Sequence, residues 1–207
     1  MARQSSELAT RDRLLAASIE VFAAKGYHGA IVDDVVAASG TSKGAFYHYF
    51  PSKQGIFLAL IDDLASLVEQ GVETAIAAEA GALTKIEAAL RVVLETAAEQ
   101  RNLVKILLVE AVGLGPTLEK TRLEIHQRFA GLIQRHLDRA VIEGSIPEQD
   151  TALAAQAWIG ALNEVITQWL RTERPPLMER LPGLRALLLR SIGAPERPRR
   201  ATREDQA

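Results

Sequence analysis

Gly40-Thr41-Ser42-Lys43-Gly44-Ala45-Phe46-Tyr47-His48-Tyr49-Phe50-Pro51-Ser52-Lys53 is the stretch on which the reading of this chain turns. A glycine closes one segment, Ser42 can cap the next, and Pro51-Ser52 opens a third, so a short helix is predicted over residues 42–49. Taking Lys43 as the origin, Gly44, Tyr47 and His48 fall at roughly 100°, 40° and 140°, whereas Phe46 and Phe50 fall at roughly 300° and 340°. One arc of this helix is polar and the other aromatic.

Upstream, Ile31, Val32, Val35, Val36 and Ser39 keep a helical stripe that Gly40 ends, with Asp33 and Asp34 at the positive end of the helix dipole. Before them Leu14, Leu15, Ile19, Phe22 and Ala23 mark one face of a first helix, beginning near Asp12 and closed by Gly26. Two short helices about a tight turn, buttressed by a third, form the geometry that carries the later helix into a DNA major groove. Phe46 and Phe50 would pack on the first two stripes, while Lys43, Tyr47 and His48 project beside Gly44, where no side chain prevents close approach. Lys43 offers a donor to phosphate or guanine, Tyr47 a hydroxyl to phosphate and His48 either, with Lys53 a further phosphate partner. Ser42, Ala45 and Tyr49 complete the candidate DNA-binding set. On geometry alone, the same two arcs also suit an ordinary bundle helix with aromatics inside and polar residues in water.

Downstream, residues 53–79 carry no proline and keep Ile56, Leu60, Leu64, Leu67 and Val68 in one stripe, predicting a long helix of about 40 Å that joins two domains. Further helices are predicted over residues 83–101, 102–112, 118–143, 150–172 and 184–192, giving an all-α chain of about nine helices. Gly113 to Pro116, Gly144 and Pro175-Pro176 separate them, and Asp150 caps the fifth of these six segments counted from the long helix. The domains are then 1–54, a three-helix helix-turn-helix unit; 55–194, a helical bundle for ligand binding and dimerisation; and 195–207, a proline- and charge-rich tail.

Composition narrows the function by exclusion. The longest apolar runs, such as residues 106–109, are cut by charges well short of a membrane span, and no secretory leader pattern is present. The absence of cysteine removes disulfide and thiolate chemistry and fits a soluble cytoplasmic protein. Residues 1–54 hold six Lys/Arg against five acids, so charge leaves DNA binding open. His28, His48, His126 and His136 lack the spacing of a helical zinc site, and Gly113 and Gly115 lack the third glycine of a dinucleotide site. The adjacent pairs Asp33-Asp34 and Asp62-Asp63 point about 100° apart on a helix, which suits a solvated face. No cofactor, metal or catalytic role is expected.

Gly26-Tyr27, Val32-Asp33-Asp34-Val35, residues 40–53 and Phe57 together resemble, in register, the DNA-binding domain of the TetR family. The resemblance implies a transcriptional regulator: a homodimeric repressor that binds a palindromic operator, with half-sites ~34 Å apart, and is released by a small molecule. It also implies about six further helices forming a ligand pocket and a dimer interface. Residues 158–169 resemble the penultimate helix that pairs with its mate, where Gly160 and Ala161 would allow close approach. Ala30 and Ile31 stand where the family has hydroxyl residues that cap the second helix and touch phosphate, and losing such a cap costs ~1 kcal/mol. Val36 replaces the family's alanine.

Beyond the long helix the resemblance is architectural. Polar groups on apolar helices make Glu110, His126 and Asn163, with Phe129 and Trp158 beside them, the candidate ligand-binding residues. The wealth of Leu, Val and Ala points to a largely apolar ligand, such as an acyl-CoA or another lipophilic molecule. Two other readings share the pattern: a ligand-binding or interaction bundle that does not read DNA, and an activator of the same fold.

Overall fold

The computed structural model describes residues 2–110 and 115–194, without the side chains of residues 2–8, 82, 83 and 110. Every regular element among the described residues is helical: α1 (Ala2–Gly29), α2 (Val32–Ser39), α3 (Lys43–Tyr49), α4 (Lys53–Ala77), α5 (Ala82–Glu99), α6 (Arg101–Lys105), α7 (Pro116–Ile142), α8 (Thr151–Thr172) and α9 (Leu181–Ser191). A π turn (Ile106–Glu110) follows α6 and a 3-10 turn (Leu177–Arg180) precedes α9. The predicted all-α architecture is observed. None of these helices is long and apolar enough to cross a membrane.

Three elements differ from expectation. The first helix begins at Ala2, not near Asp12, because the polar opening residues show no stripe yet continue the helix. The segment predicted as one helix over residues 102–112 is, as far as Glu110, α6 followed by the π turn. A wider hydrogen-bonding ring leaves no mark in an apolar run. The last helix starts at Leu181, three residues early, because Pro182 stands in its first turn, where a missing N–H costs nothing. Residues 111–114 and the tail at 195–207 lie outside the described residues, so the break predicted at 113–116 is seen only where α7 starts at Pro116.

The described chain forms two compact units, whose division cuts α4 between Val68 and Glu69, α5 between Glu95 and Thr96, and α7 between Ile125 and His126. The first holds the chain up to Val68 together with Thr96–Ile125. In it, α1 packs against α2, α3, α6 and the π turn. Leu14, Phe22, Val35, Phe46, Ile56, Phe57 and Ile106 are fully buried. Phe22 meets Phe57 edge-on at 5.7 Å, and Tyr27 lies 4.8 Å from Phe57. Burying one phenylalanine contributes about 1.5–3 kcal/mol and each aromatic pair about 0.5–1.5 kcal/mol more.

The second unit holds Glu69–Glu95 and the chain from His126 onward. Its core draws on Leu90 and Leu94 of α5, Leu132 and Leu137 of α7, a stripe on α8 from Ala155 to Leu170, and Leu188 and Leu189 of α9. α4 and α5 approach closely where Gly71 faces Val92: a Cβ at position 71 would lie 2.9 Å from Val92 Cγ1. The same half of α4 is tied to α7 by charge, since Arg128 grips Glu69 with Nε at 3.2 Å and Nη2 at 2.7 Å. Arg135 and His136 both approach Glu73 at 3.7 Å.

Candidate nucleic-acid interface

Backbone geometry builds the interface first. α1 is interrupted at Gly26, whose φ of 69° and ψ of 162° turn the chain before one more helical turn ends at Gly29. Gly40, with φ 62°, closes α2 in the left-handed region that a side chain disfavours, and the Thr41 N–H bonds Val36 O at 3.3 Å. Ser39 Oγ, itself buried, lies 2.8 Å from Thr41 Oγ1 and steadies that turn. Ser42 then accepts from the Ala45 N–H at 3.0 Å, as its N-cap reading requires, and Ser52 does the same for Gly55 at 3.0 Å at the head of α4.

α3 divides as its arcs require. Phe46 and Phe50 are buried, while Ser42, Lys43, Gly44, Tyr47 and His48 are exposed and Ala45 and Tyr49 are half-buried. Phe46 anchors Tyr47 edge-on at 5.4 Å, so the exposed phenol rises from a fixed ring, and His48 rests edge-on against Tyr49 at 4.9 Å. Beneath them the Arg11 guanidinium lies 5.9 Å from the Phe50 ring and 3.5 Å from Asp63. A Cβ added at Gly44 would meet only Ser42 Oγ, at an ordinary 3.8 Å. Among the described residues nothing crowds a side chain at that position.

The charges around α3 are arranged in pairs. Lys43 Nζ lies 2.7 Å from Asp33 Oδ1, with both side chains more than half exposed, and the bond to that carboxylate raises the lysine pKa above its ordinary value. An exposed pair of this kind is worth little to stability, and a phosphate can take the carboxylate's place. The start of α2 is held differently from the hydroxyl cap of the family pattern. Ile31, 57% exposed, caps with no side chain, and Asp34 Oδ2 instead accepts the Ile31 N–H at 3.0 Å. Lys25 Nζ completes the corner at 2.6 Å from Asp34 Oδ1; this bond first, and the Ile31 N–H second, hold the Asp34 carboxyl below its ordinary pKa. Neither the Lys25–Asp34 nor the Lys43–Asp33 pairing could be read from helical spacing, because each joins two elements.

Lys53 is placed unlike the other candidates. Its ammonium donates to Tyr27 O at 2.6 Å and Ala30 O at 2.8 Å and lies over the Tyr27 ring, 4.5 Å from the centroid. It points into the corner between α1 and α2.

The candidate ligand-binding residues are more scattered. His126 and Phe129 are half-buried on α7, three residues apart and therefore on one side of it. Trp158 and Asn163 on α8 are five residues apart, about 140° around the helix, which sends them to different faces. Trp158 is buried, and its Nε1 donates to Ser191 Oγ at 3.1 Å, which in turn donates to Leu188 O at 2.7 Å. The single polar group of that indole is thus engaged within the unit. The side chain of Glu110 lies outside the described residues.

Comparison with known proteins agrees with this architecture along the chain. Residues 14–60 match the family model of bacterial regulatory proteins of the tetR family, and residues 79–173 match the tetracyclin repressor-like C-terminal domain. The fatty acid metabolism regulator protein of Bacillus subtilis is 24% identical over 163 residues, covering 78% of this chain and 84% of its own. The fatty acid degradation regulator FadR from Bacillus halodurans superposes with a TM-score of 0.80 at 24% identity, over 86% of this chain and 97% of its own. FadR from Bacillus subtilis, solved in complex with stearoyl-CoA, gives a TM-score of 0.78 at 24% identity, over 85% of this chain and 96% of its own. With one family model on the helix-turn-helix and a second on the helices that follow, this chain belongs to the tetR family of bacterial regulatory proteins and is a DNA-binding transcriptional regulator.

Proposed function

We propose that this regulator is a homodimeric repressor that reads a palindromic operator through α3 and leaves it when a lipophilic small molecule binds. The observation that carries the reading is the division of α3, with Phe46 and Phe50 buried and Ser42, Lys43, Gly44, Tyr47 and His48 exposed on one face. Lys43 exchanges Asp33 for phosphate or guanine, the Tyr47 hydroxyl takes a phosphate, and Gly44 and Ala45 let the helix lie close to base edges. Residues 1–54 form the DNA-reading domain, and 55–194 bind ligand and dimerise.

Dimerisation falls to α8 and α9. Gly160 is exposed, a Cβ there would meet nothing, and Ala157 beside it is also exposed. Leu153 on α8 and Leu187 on α9 are large apolar side chains more than half exposed. Small residues and exposed leucines on these two helices suit close packing against a second copy. The effector is an acyl-CoA or a similar lipophilic molecule, supported by the apolar composition of α5 and α8 and by the stearoyl-CoA held by the related FadR. It acts by its differential affinity for two states that separate the recognition helices differently, with α4 as the lever.

The test is footprinting of DNA flanking the protein's own gene, with and without a long-chain acyl-CoA. The expected result is protection of two symmetric half-sites about one helical turn apart, ~34 Å, and loss of that protection on adding the thioester. Protection that persists at saturating acyl-CoA would reject the effector class. No protected site at any salt concentration would reject DNA reading itself.

A further inference from the structure

A lysine at the first position of a helix stands where the dipole repels a cation, so Lys53 at the head of α4 must be compensated by something else. The compensation is the carbonyl end of α1. Tyr27 O belongs to its last turn and Ala30 O to the linker that immediately precedes α2, and they accept from Nζ at 2.6 Å and 2.8 Å. An ammonium has three donors, and the Tyr27 ring, 4.5 Å away, takes the remaining side of the charge. Phe57, one turn further along the same face of α4, holds that ring from 4.8 Å. Residues 53 and 57 thus grip Tyr27 together, and burial of this corner pushes the Lys53 pKa down and the Tyr27 pKa up.

What the clasp fixes is the path from α1 into α2. Ala30 is fully buried and Ile31 is the residue that caps α2, so a bond to Ala30 O sets where α2 begins. α2 carries the turn at Gly40, and that turn carries α3. Lys43 is the contrast: its side chain is 58% exposed and its partner is an exposed carboxylate.

We propose that Lys53 is a positioning residue for DNA reading, its ammonium clasped to Tyr27 O, Ala30 O and the Tyr27 ring, and not a phosphate contact. The proposal rests on the reading of α3 as the DNA-facing helix.

Lysine footprinting of the full chain tests it. The wild-type protein is acetylated briefly with an amine-reactive ester, free and bound to a duplex that it has itself selected from a randomised pool. Lys53 is expected to react at least tenfold more slowly than the exposed Lys120 in the free chain, at a rate that DNA leaves unchanged, while DNA shields Lys43. Lys53 reacting as fast as Lys120 in the free chain and being shielded on the duplex would overturn the proposal. Lys53→Met gives a second readout, taken at a temperature where circular dichroism shows the variant fully folded. Its affinity for the selected duplex should fall about tenfold with the slope of log affinity against log salt unchanged; a slope reduced by about 0.9, one phosphate's worth, would identify a backbone contact instead. A merely structural role would leave the folded variant's affinity intact. Failure to select any duplex strikes at the DNA reading, and slow labelling of Lys53 in the free chain still supports the clasp.

Discussion

α3 is seven residues long and α8 twenty-two, and they are held in place by different means. A helix as short as α3 has no stability of its own, since isolated helices below ~12–15 residues are marginal in water. It exists because Ser42 caps its head and Phe46 is sunk beneath it. α8 buries Ala155, Trp158, Ile159, Leu162, Ile166 and Leu170 in turn, so its attachment is spread along about four turns. The consequence reaches function. In α3 nearly every position is committed to a cap, an anchor or the exposed face, whereas in α8 many side chains could be exchanged for others of similar size without losing the helix.

The contrast is broken most easily at its strongest point. Phe46→Ala should cost about 3–5 kcal/mol, read as a shift of the denaturant midpoint, because it empties a fully buried site under a short helix whose other buried aromatic, Phe50, sits at its very end. A loss below 1 kcal/mol would mean that α3 is held by something else. Trp158→Phe on α8 should cost less, about 1–2 kcal/mol, since Ser191 keeps its bond to Leu188 O and the neighbouring stripe remains. Equal penalties for the two variants would erase the distinction. Ser42→Ala should cost ~1 kcal/mol and weaken DNA binding with it, as the first turn of α3 frays.

The smallest effect is at the α2 corner. Asp34 is held below its unfolded pKa of about 3.9, first by Lys25 and then by the Ile31 N–H. A depressed carboxyl contributes stability that is present above the unfolded pKa and lost as pH falls through the folded one. NMR titration of Lys25→Met should therefore show the Asp34 carboxyl moving back up towards 3.9. An unchanged titration would assign the depression to the backbone N–H alone.

The difference between the regions also explains what could be read in advance. Gly40, Ser42 and the alternation of Phe46 and Phe50 with Tyr47 and His48 are local signals, each acting within four residues, and the structure realises them. Asp150 is another, accepting the Leu153 N–H at 2.9 Å to cap α8. Lys53 shows where local reasoning stops. Its place at a helix start beside the recognition helix suggested a phosphate partner, but the direction of its ammonium depends on where α1 ends in space, 26 residues earlier. The bidentate Arg128–Glu69 pair, 59 residues apart, is equally invisible to periodicity. Beyond α4 the residues singled out for a ligand carried no spacing rule at all. Trp158 proved to have an internal partner for its N–H, and nothing in an alternation of Leu and Ala announces Ser191 as that partner.

The central claim is that the exposed arc of α3 reads DNA, and it is tested most directly by titrating one selected duplex with the wild-type chain and with the Lys43→Ala, Tyr47→Ala double variant at several salt concentrations. The account predicts steeply salt-dependent binding by the wild type and at least a tenfold loss in the double variant, which stays folded because both side chains lie outside the core. A folded double variant that binds as tightly as the wild type would contradict it.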